Sequence, residues 1–147
     1  MDLSKILAIT GKPGLYLVIS QTKSGALVES IIDKKRIPVF AAEKMSSLSD
    51  ISIFTTDEDL PLKSVLKAIY EKENGGPCID HKSENNTLKR YMEEVVPNFD
   101  KDRVYVSDIK KLFSWYNLLQ KENLLEFSEE EIKDTNTEEN QEDQEKN

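Results

Sequence analysis

The first 56 residues alternate short apolar runs with turn-forming residues. Residues 15–22, 26–32, 36–41 and 51–55 are rich in β-branched and aromatic side chains. This pattern predicts four short antiparallel strands, forming either a small SH3-like or Tudor-like barrel or an open sheet packed on a helix. Because Pro38 cannot donate a ladder hydrogen bond, the third strand is predicted to lie at an edge or to carry a bulge.

From residue 57 onward the apolar spacing is that of amphipathic helices. The first helix is predicted to begin at Pro61, a favoured first helical residue, and to end before Gly75. A second helix is predicted from about Asn86 to Val96, where Pro97 ends it. The apolar stripe expected to pack the first helix on the sheet consists of Leu62, Val65, Leu66, Ile69 and Tyr70.

A third helix follows an extended connector, and Ser107 and Asp108 are predicted to cap it. Its predicted core stripe is Ile109, Leu112, Phe113, Tyr116 and Leu119. The helix, extended connector and helix resemble the arrangement in small nucleic-acid-binding and adaptor modules. The fold class is therefore α+β, with a small N-terminal antiparallel barrel or sheet and a helical C-terminal part.

The chain is predicted to have four parts. Residues 1–74 form a β-rich module with one helix, 75–86 a polar linker, 87–127 a helical module, and 128–147 an acidic tail. The tail holds nine acidic residues and two lysines, so it carries most of the net charge of −8, and the rest of the chain is nearly neutral. With so few apolar residues it cannot offset its ordering entropy, so it is predicted to be disordered. It would serve solubility or compete with nucleic acid for a basic face.

The composition narrows the class of protein further. Charged residues make up 33% of the 147, and no apolar run approaches the ~18 residues of a membrane span. Cys78 is the single cysteine, so no internal disulfide can form, and the first nine residues lack a signal-peptide pattern. The sequence therefore predicts a cytoplasmic protein with no membrane association.

Several stretches resemble a family of small bacterial proteins known as domains of unknown function. They are residues 6–16, 20–25, 50–55 and 97–111. The resemblance covers roughly residues 1–127. It implies a β-rich N-terminal module, a helical C-terminal module and a non-secreted bacterial protein, and it assigns no catalytic residue.

Motifs for catalysis or metal binding are incomplete. Cys78 and His81 supply too few ligands for a zinc site, which needs four, and nothing indicates an oxyanion hole beside them. The stretch 11–14 is a turn rather than a phosphate loop, since Pro13 removes an amide and a strand follows. Acidic residues at 57–59 and 100–102 lack the other ligands of a calcium loop. We therefore expect no cofactor, no metal and no enzymatic activity.

Basic and aromatic residues are the remaining signal for function. The candidate contact residues are Lys34, Lys35 and Arg36 at a hairpin tip, then Arg103, Lys110, Lys111 and Trp115 around the third helix. The sequence predicts a non-enzymatic binding or adaptor module whose partner is another protein. The alternative is a nucleic-acid-associated protein, in which these bases contact phosphates and the aromatic rings stack on bases.

Overall fold

A computed structural model describes residues 3–12, 14–40, 44–125 and 127. In this part of the chain, five strands form one antiparallel sheet, two short strands form a separate hairpin, and three α-helices follow. The elements are β1 (Ile6–Ile9), β2 (Tyr16–Thr22), β3 (Gly25–Ser30), β4 (Arg36–Phe40), β5 (Met45–Ser47), β6 (Ser52–Ile53), β7 (Leu60–Pro61), α1 (Leu62–Lys72), α2 (Asn85–Val95) and α3 (Val106–Lys121). Short 3₁₀ turns span Leu3–Lys5 and Leu48–Asp50.

The five-stranded sheet has the order β4-β3-β2-β1-β5. Strands β1 to β4 pair in sequence, and β5 crosses to the other edge to pair with β1. No pairing joins β4 to β5 among the described residues, so the sheet there is open and the expected barrel closure is not confirmed. Strand β4 lies at an edge, as predicted from Pro38, where a missing N–H does not interrupt the sheet.

Two strands of the sheet were absent from the sequence prediction. Strand β1 is apolar at all four positions, because both faces of the sheet are covered there, so it lacks the apolar–polar alternation of a half-exposed strand. Strand β5 is only three residues long and contains two serines. The strand predicted over 51–55 is also shorter than expected, because only Ser52–Ile53 forms a strand, and it pairs with β7 outside the main sheet. Thr55 makes a single antiparallel bridge to Phe99.

The two faces of the sheet belong to different apolar clusters. On one face, Ile6, Leu15 and Ile31 join the buried side chains of all three helices in the main core. The other face forms a smaller cluster of sheet residues, namely Leu7, Ile9, Tyr16, Ala26, Val28 and Val39. The main core therefore joins the N-terminal sheet directly to the helical part.

The helices confirm the predicted core stripes. Helix α3 buries all five predicted residues, and α1 buries four of its five while Tyr70 is half-buried. Helix α1 begins one residue after Pro61. The predicted cap of α3 needs correction, because Ser107 lies inside the helix. The carboxylate of Asp108 in the first turn accepts a hydrogen bond from the backbone N–H of Tyr105 at 3.0 Å.

The first residues of the polar segment 75–86 contact α3. The carbonyl of Gly76 accepts a hydrogen bond from the Tyr116 hydroxyl at 2.8 Å, and the side chain of Cys78 is buried. The assignment of residues 75–86 as a linker between two modules stays a prediction. The predicted acidic tail, 128–147, lies outside the described residues.

Candidate functional site

A groove of about 530 Å³ lies between β1, with the turn that follows it, and the N-terminal half of α3. We call it the basic groove and define it by the side chains of Lys12, His81, Lys110, Lys111, Ser114 and Trp115. Ala8, Ile9 and Ile51 add apolar surface to its lining. The groove is thus formed by residues far apart in the sequence.

Helix α3 supplies four of these residues through its periodicity. Lys110 and Ser114 are four residues apart, as are Lys111 and Trp115, so each pair lies on neighbouring turns of the helix. These positions flank the buried stripe that begins at Ile109. The main core therefore fixes the face of α3 that is turned toward the groove.

Two loops complete the basic groove. In the turn after β1, the Lys12 N–H donates to the Ile9 carbonyl at 3.0 Å, and Gly11 adopts a positive φ of 85° that a glycine accommodates. The opposite loop carries His81 and is held by Asn117, whose carboxamide oxygen accepts the Cys78 N–H at 2.8 Å. The predicted turn at residues 11–14 therefore also places Lys12 in the basic groove.

The titratable side chains that line the groove are three lysines and one histidine, and no carboxylate is among the described lining residues. Within the described part of the chain, Lys12, Lys110 and Lys111 have no ion pair. His81 Nδ1 lies 3.7 Å from Asp80 Oδ1, and the two side chains are both exposed to solvent. The groove is therefore a region of positive charge on a chain whose net charge is −8.

An apolar cavity of about 220 Å³ adjoins the basic groove. The two share Ile51, Lys111 and Trp115, so they form one continuous depression along α3. The remaining apolar side chains of this cavity are Ile53, Phe54, Leu62, Val104 and Leu112, and Ser52 and Asp108 also line it. Half-buried Trp115 packs against the main core and forms part of the wall of both spaces.

Three predicted contact residues meet in this depression, namely Lys110, Lys111 and Trp115. Arg103 lies near the end of the apolar cavity, with its guanidinium 4.3 Å from the centre of the Phe54 ring. Its Nε also donates to Asp100 Oδ2 at 2.8 Å, and this hydrogen bond lowers the pKa of the Asp100 carboxyl. The positive charge of Arg103 is thus already paired.

The predicted basic cluster at the β3–β4 turn lies elsewhere, and none of its residues lines the groove. Lys34 pairs with Glu122 just beyond α3 at 2.9 Å. Arg36 pairs across the strands with Glu29 at 3.1 Å, while the side chain of Lys35 is exposed. Two of these three charges therefore already have carboxylate partners.

Sequence reasoning missed Lys12 and His81. The sequence places Lys12 in a turn and offers His81 only as part of an incomplete metal site. Nothing in their local sequence points to α3, because they approach it only through the pairing of β1 in the sheet and the attachment of residues 76–79 to α3. Identifying them requires the tertiary structure.

A second polar cluster is buried between the 73–78 segment, α2 and α3. Desolvation, followed by the charge of Glu73, raises the pKa of the Cys78 thiol to about 12. Burial also raises the pKa of Tyr91 and of Tyr116, and the Tyr91 hydroxyl donates to the Glu73 carboxylate. A thiol held protonated in this way is a poor nucleophile. The cluster therefore acts as a structural contact between elements.

Within the described residues, no group of three or more histidine, cysteine, aspartate or glutamate side chains is placed to hold a metal ion. None of the described helices has the length and apolar character needed to cross a membrane.

Comparisons with known proteins divide the chain between two sequence families. Residues 3–48 match the domain of unknown function DUF5606, and residues 51–119 match the domain of unknown function DUF6852. A solution NMR structure from Bacteroides vulgatus is 46% identical, with a TM-score of 0.71, over 86% of this chain and 91% of that one. The chain belongs to the same family as that protein. No curated protein matches it.

These findings confirm the predicted bacterial family, with its N-terminal β-rich module and helical C-terminal part. The boundary between the two DUF domains falls at residues 48–51, between β5 and β6. The basic groove lies across this boundary, because Lys12 belongs to the DUF5606 domain and Lys110 to the DUF6852 domain. Both domains are needed to form it.

Proposed function

We propose that this family member is a non-enzymatic cytoplasmic binding module whose basic groove receives an acidic segment of a partner protein. The observation that carries the proposal is the set of Lys12, Lys110, Lys111 and His81 in one groove whose described lining contains no carboxylate. A carboxylate-rich peptide supplies the complementary charge.

Charge alone would give weak binding. Each exposed lysine–carboxylate pair contributes about 0.2–1 kcal/mol, and added salt weakens it further. The adjoining apolar cavity of about 220 Å³ can take one aliphatic side chain. Burying such a side chain contributes about 1.5–3 kcal/mol. The preferred ligand is therefore an acidic segment that also carries one aliphatic residue, and its Kd should fall between about 1 µM and 1 mM.

The character of the groove favours a peptide over a nucleic acid. Trp115 is the aromatic side chain of the basic groove, and it packs into the main core rather than standing free to stack on bases. Binders of single strands use several exposed rings along a basic track. Arg103, Lys34 and Arg36 are paired with carboxylates, which reduces the charge they offer to phosphates.

Two triple variants of equal charge test the proposal. The groove variant is K12Q/K110Q/K111Q. The control variant is K5Q/K23Q/K89Q, in which three exposed lysines outside the groove lose the same charge. The probe is a synthetic peptide of ten glutamates with one central leucine, titrated while the fluorescence of Trp115, the single tryptophan, is recorded.

We expect the groove variant to bind the peptide at least tenfold more weakly than the control variant. Equal affinity of the two variants, or no binding by the unaltered chain, would refute the proposal. A parallel titration with an oligothymidylate tests the nucleic-acid alternative. Tight binding of that probe with a steep loss between low and moderate salt would favour the alternative instead. Mutation of Lys34, Lys35 and Arg36 would then follow.

A further inference from the structure

We infer that the acidic segment of this same chain, residues 128–147, docks on the basic groove and competes there with a partner. The inference rests on the proposed function, since it assigns an intramolecular occupant to the same groove. It concerns regulation: a partner would have to displace the segment before it could bind.

Charge complementarity is the first argument. Residues 128–147 contain nine carboxylates and two lysines, whereas residues 1–127 are nearly neutral. The basic groove offers three lysines without an ion pair in the described part of the chain. Ile132 is the one large aliphatic residue of the segment, and the apolar cavity beside Trp115 suits such a side chain.

Reach is the second argument. Phe127 packs edge-on against Tyr70 of α1, with ring centroids 5.2 Å apart, and this contact fixes the point from which the segment departs. All of α3 is about 24 Å long at 1.5 Å per residue. Twenty residues can span up to about 65 Å when extended. The segment is therefore long enough to return along α3 to the basic groove.

Tethering makes even weak contacts effective. A segment joined by a short flexible connection acts at an effective concentration on the order of 1 mM. If its intrinsic Kd is on the order of 100 µM, the groove would be occupied about nine-tenths of the time, and a competing partner would bind about tenfold more weakly.

The test places a nitroxide spin label in this segment of the 147-residue chain. Thr137→Cys supplies the attachment point among the acidic residues. Native Cys78 is only 9% exposed and its thiol pKa is raised to about 12, so labelling near pH 7.5 is directed to the new cysteine. Paramagnetic broadening of backbone amide signals then reports which surface the label approaches.

We expect broadening at Lys12, Lys110 and Ser114 in the labelled chain. The broadening should disappear in the K12Q/K110Q/K111Q background and persist in the K5Q/K23Q/K89Q background. The same broadening in both backgrounds, or broadening spread evenly over the surface, would overturn the inference.

A peptide titration separates this inference from the proposed function. With a chain in which all nine acidic residues of 128–147 are changed to their amides, the Glu-rich peptide should bind several-fold more tightly than to the unaltered chain. If both chains bound the Glu-rich peptide with the same affinity, and no broadening specific to the groove were seen, docking of residues 128–147 would be refuted. The proposed binding of an acidic peptide would still stand. No binding by either chain would refute the proposed function itself.

Discussion

Asn117 attaches the loop that carries His81 to α3. Its carboxamide accepts the Cys78 N–H at 2.8 Å and donates to the carbonyls of Cys78 and Ile79 at 3.3 Å each. Replacing it by alanine removes all three hydrogen bonds from a partly buried contact, so we expect the free energy of unfolding to fall by about 1–3 kcal/mol. Urea unfolding measures this change. Exposed Asn86 on α2 is the control, and its alanine variant should stay within about 0.5 kcal/mol of the unaltered chain. If both variants lost the same small free energy of unfolding, contacts other than those of Asn117 would hold the loop.

At the scale of elements, the β3–β4 pairing depends on Gly25. A Cβ at this position would lie 1.9 Å from the Val39 carbonyl oxygen, which is backbone and cannot rotate away. We therefore expect Gly25→Ala to destabilise the protein by about 1–3 kcal/mol or more, through displacement of β4. Urea unfolding of this variant is compared with that of Ser24→Ala, an exposed change in the adjacent turn. If Gly25→Ala were as stable as Ser24→Ala, β4 would be able to shift without lowering the free energy of unfolding.

The elements differ in how well the sequence predicts them. The helices are predictable because a single apolar stripe repeats over eleven or more residues. Nearby proline and glycine residues also mark where a helix begins and ends, as in α1. Strand β1 was not predicted, because apolar side chains on both faces remove the alternation that identifies a half-exposed strand. Strand β5 was not predicted because its three residues carry almost no pattern, and its place is set by pairing with β1.

At the scale of the whole molecule, the site was only partly predictable. Lys110, Lys111 and Trp115 stood out because basic and aromatic residues lie close together in one helix. Lys12 and His81 reach the same groove through tertiary contacts, although Lys12 is 98 residues and His81 is 29 residues from Lys110 in the sequence. Local sequence patterns hold no information on such convergence, so only the helical half of the groove was identified.

The shared main core predicts that the two DUF domains unfold as one cooperative unit. Leu15 from the first domain and Phe113 from the second are both fully buried in this core. Replacement by alanine should cost about 2–5 kcal/mol for Leu15 and about 3–5 kcal/mol for Phe113. Because one core holds both domains, each variant should lower the hydrogen-exchange protection of the Val28 amide in β3 and of the Leu112 amide in α3 by the same free energy. Native-state hydrogen exchange measures both amides in one sample. If Leu15→Ala lowered hydrogen-exchange protection at Val28 alone, the two domains would unfold independently. The basic groove would then lie at the interface of two independently stable domains.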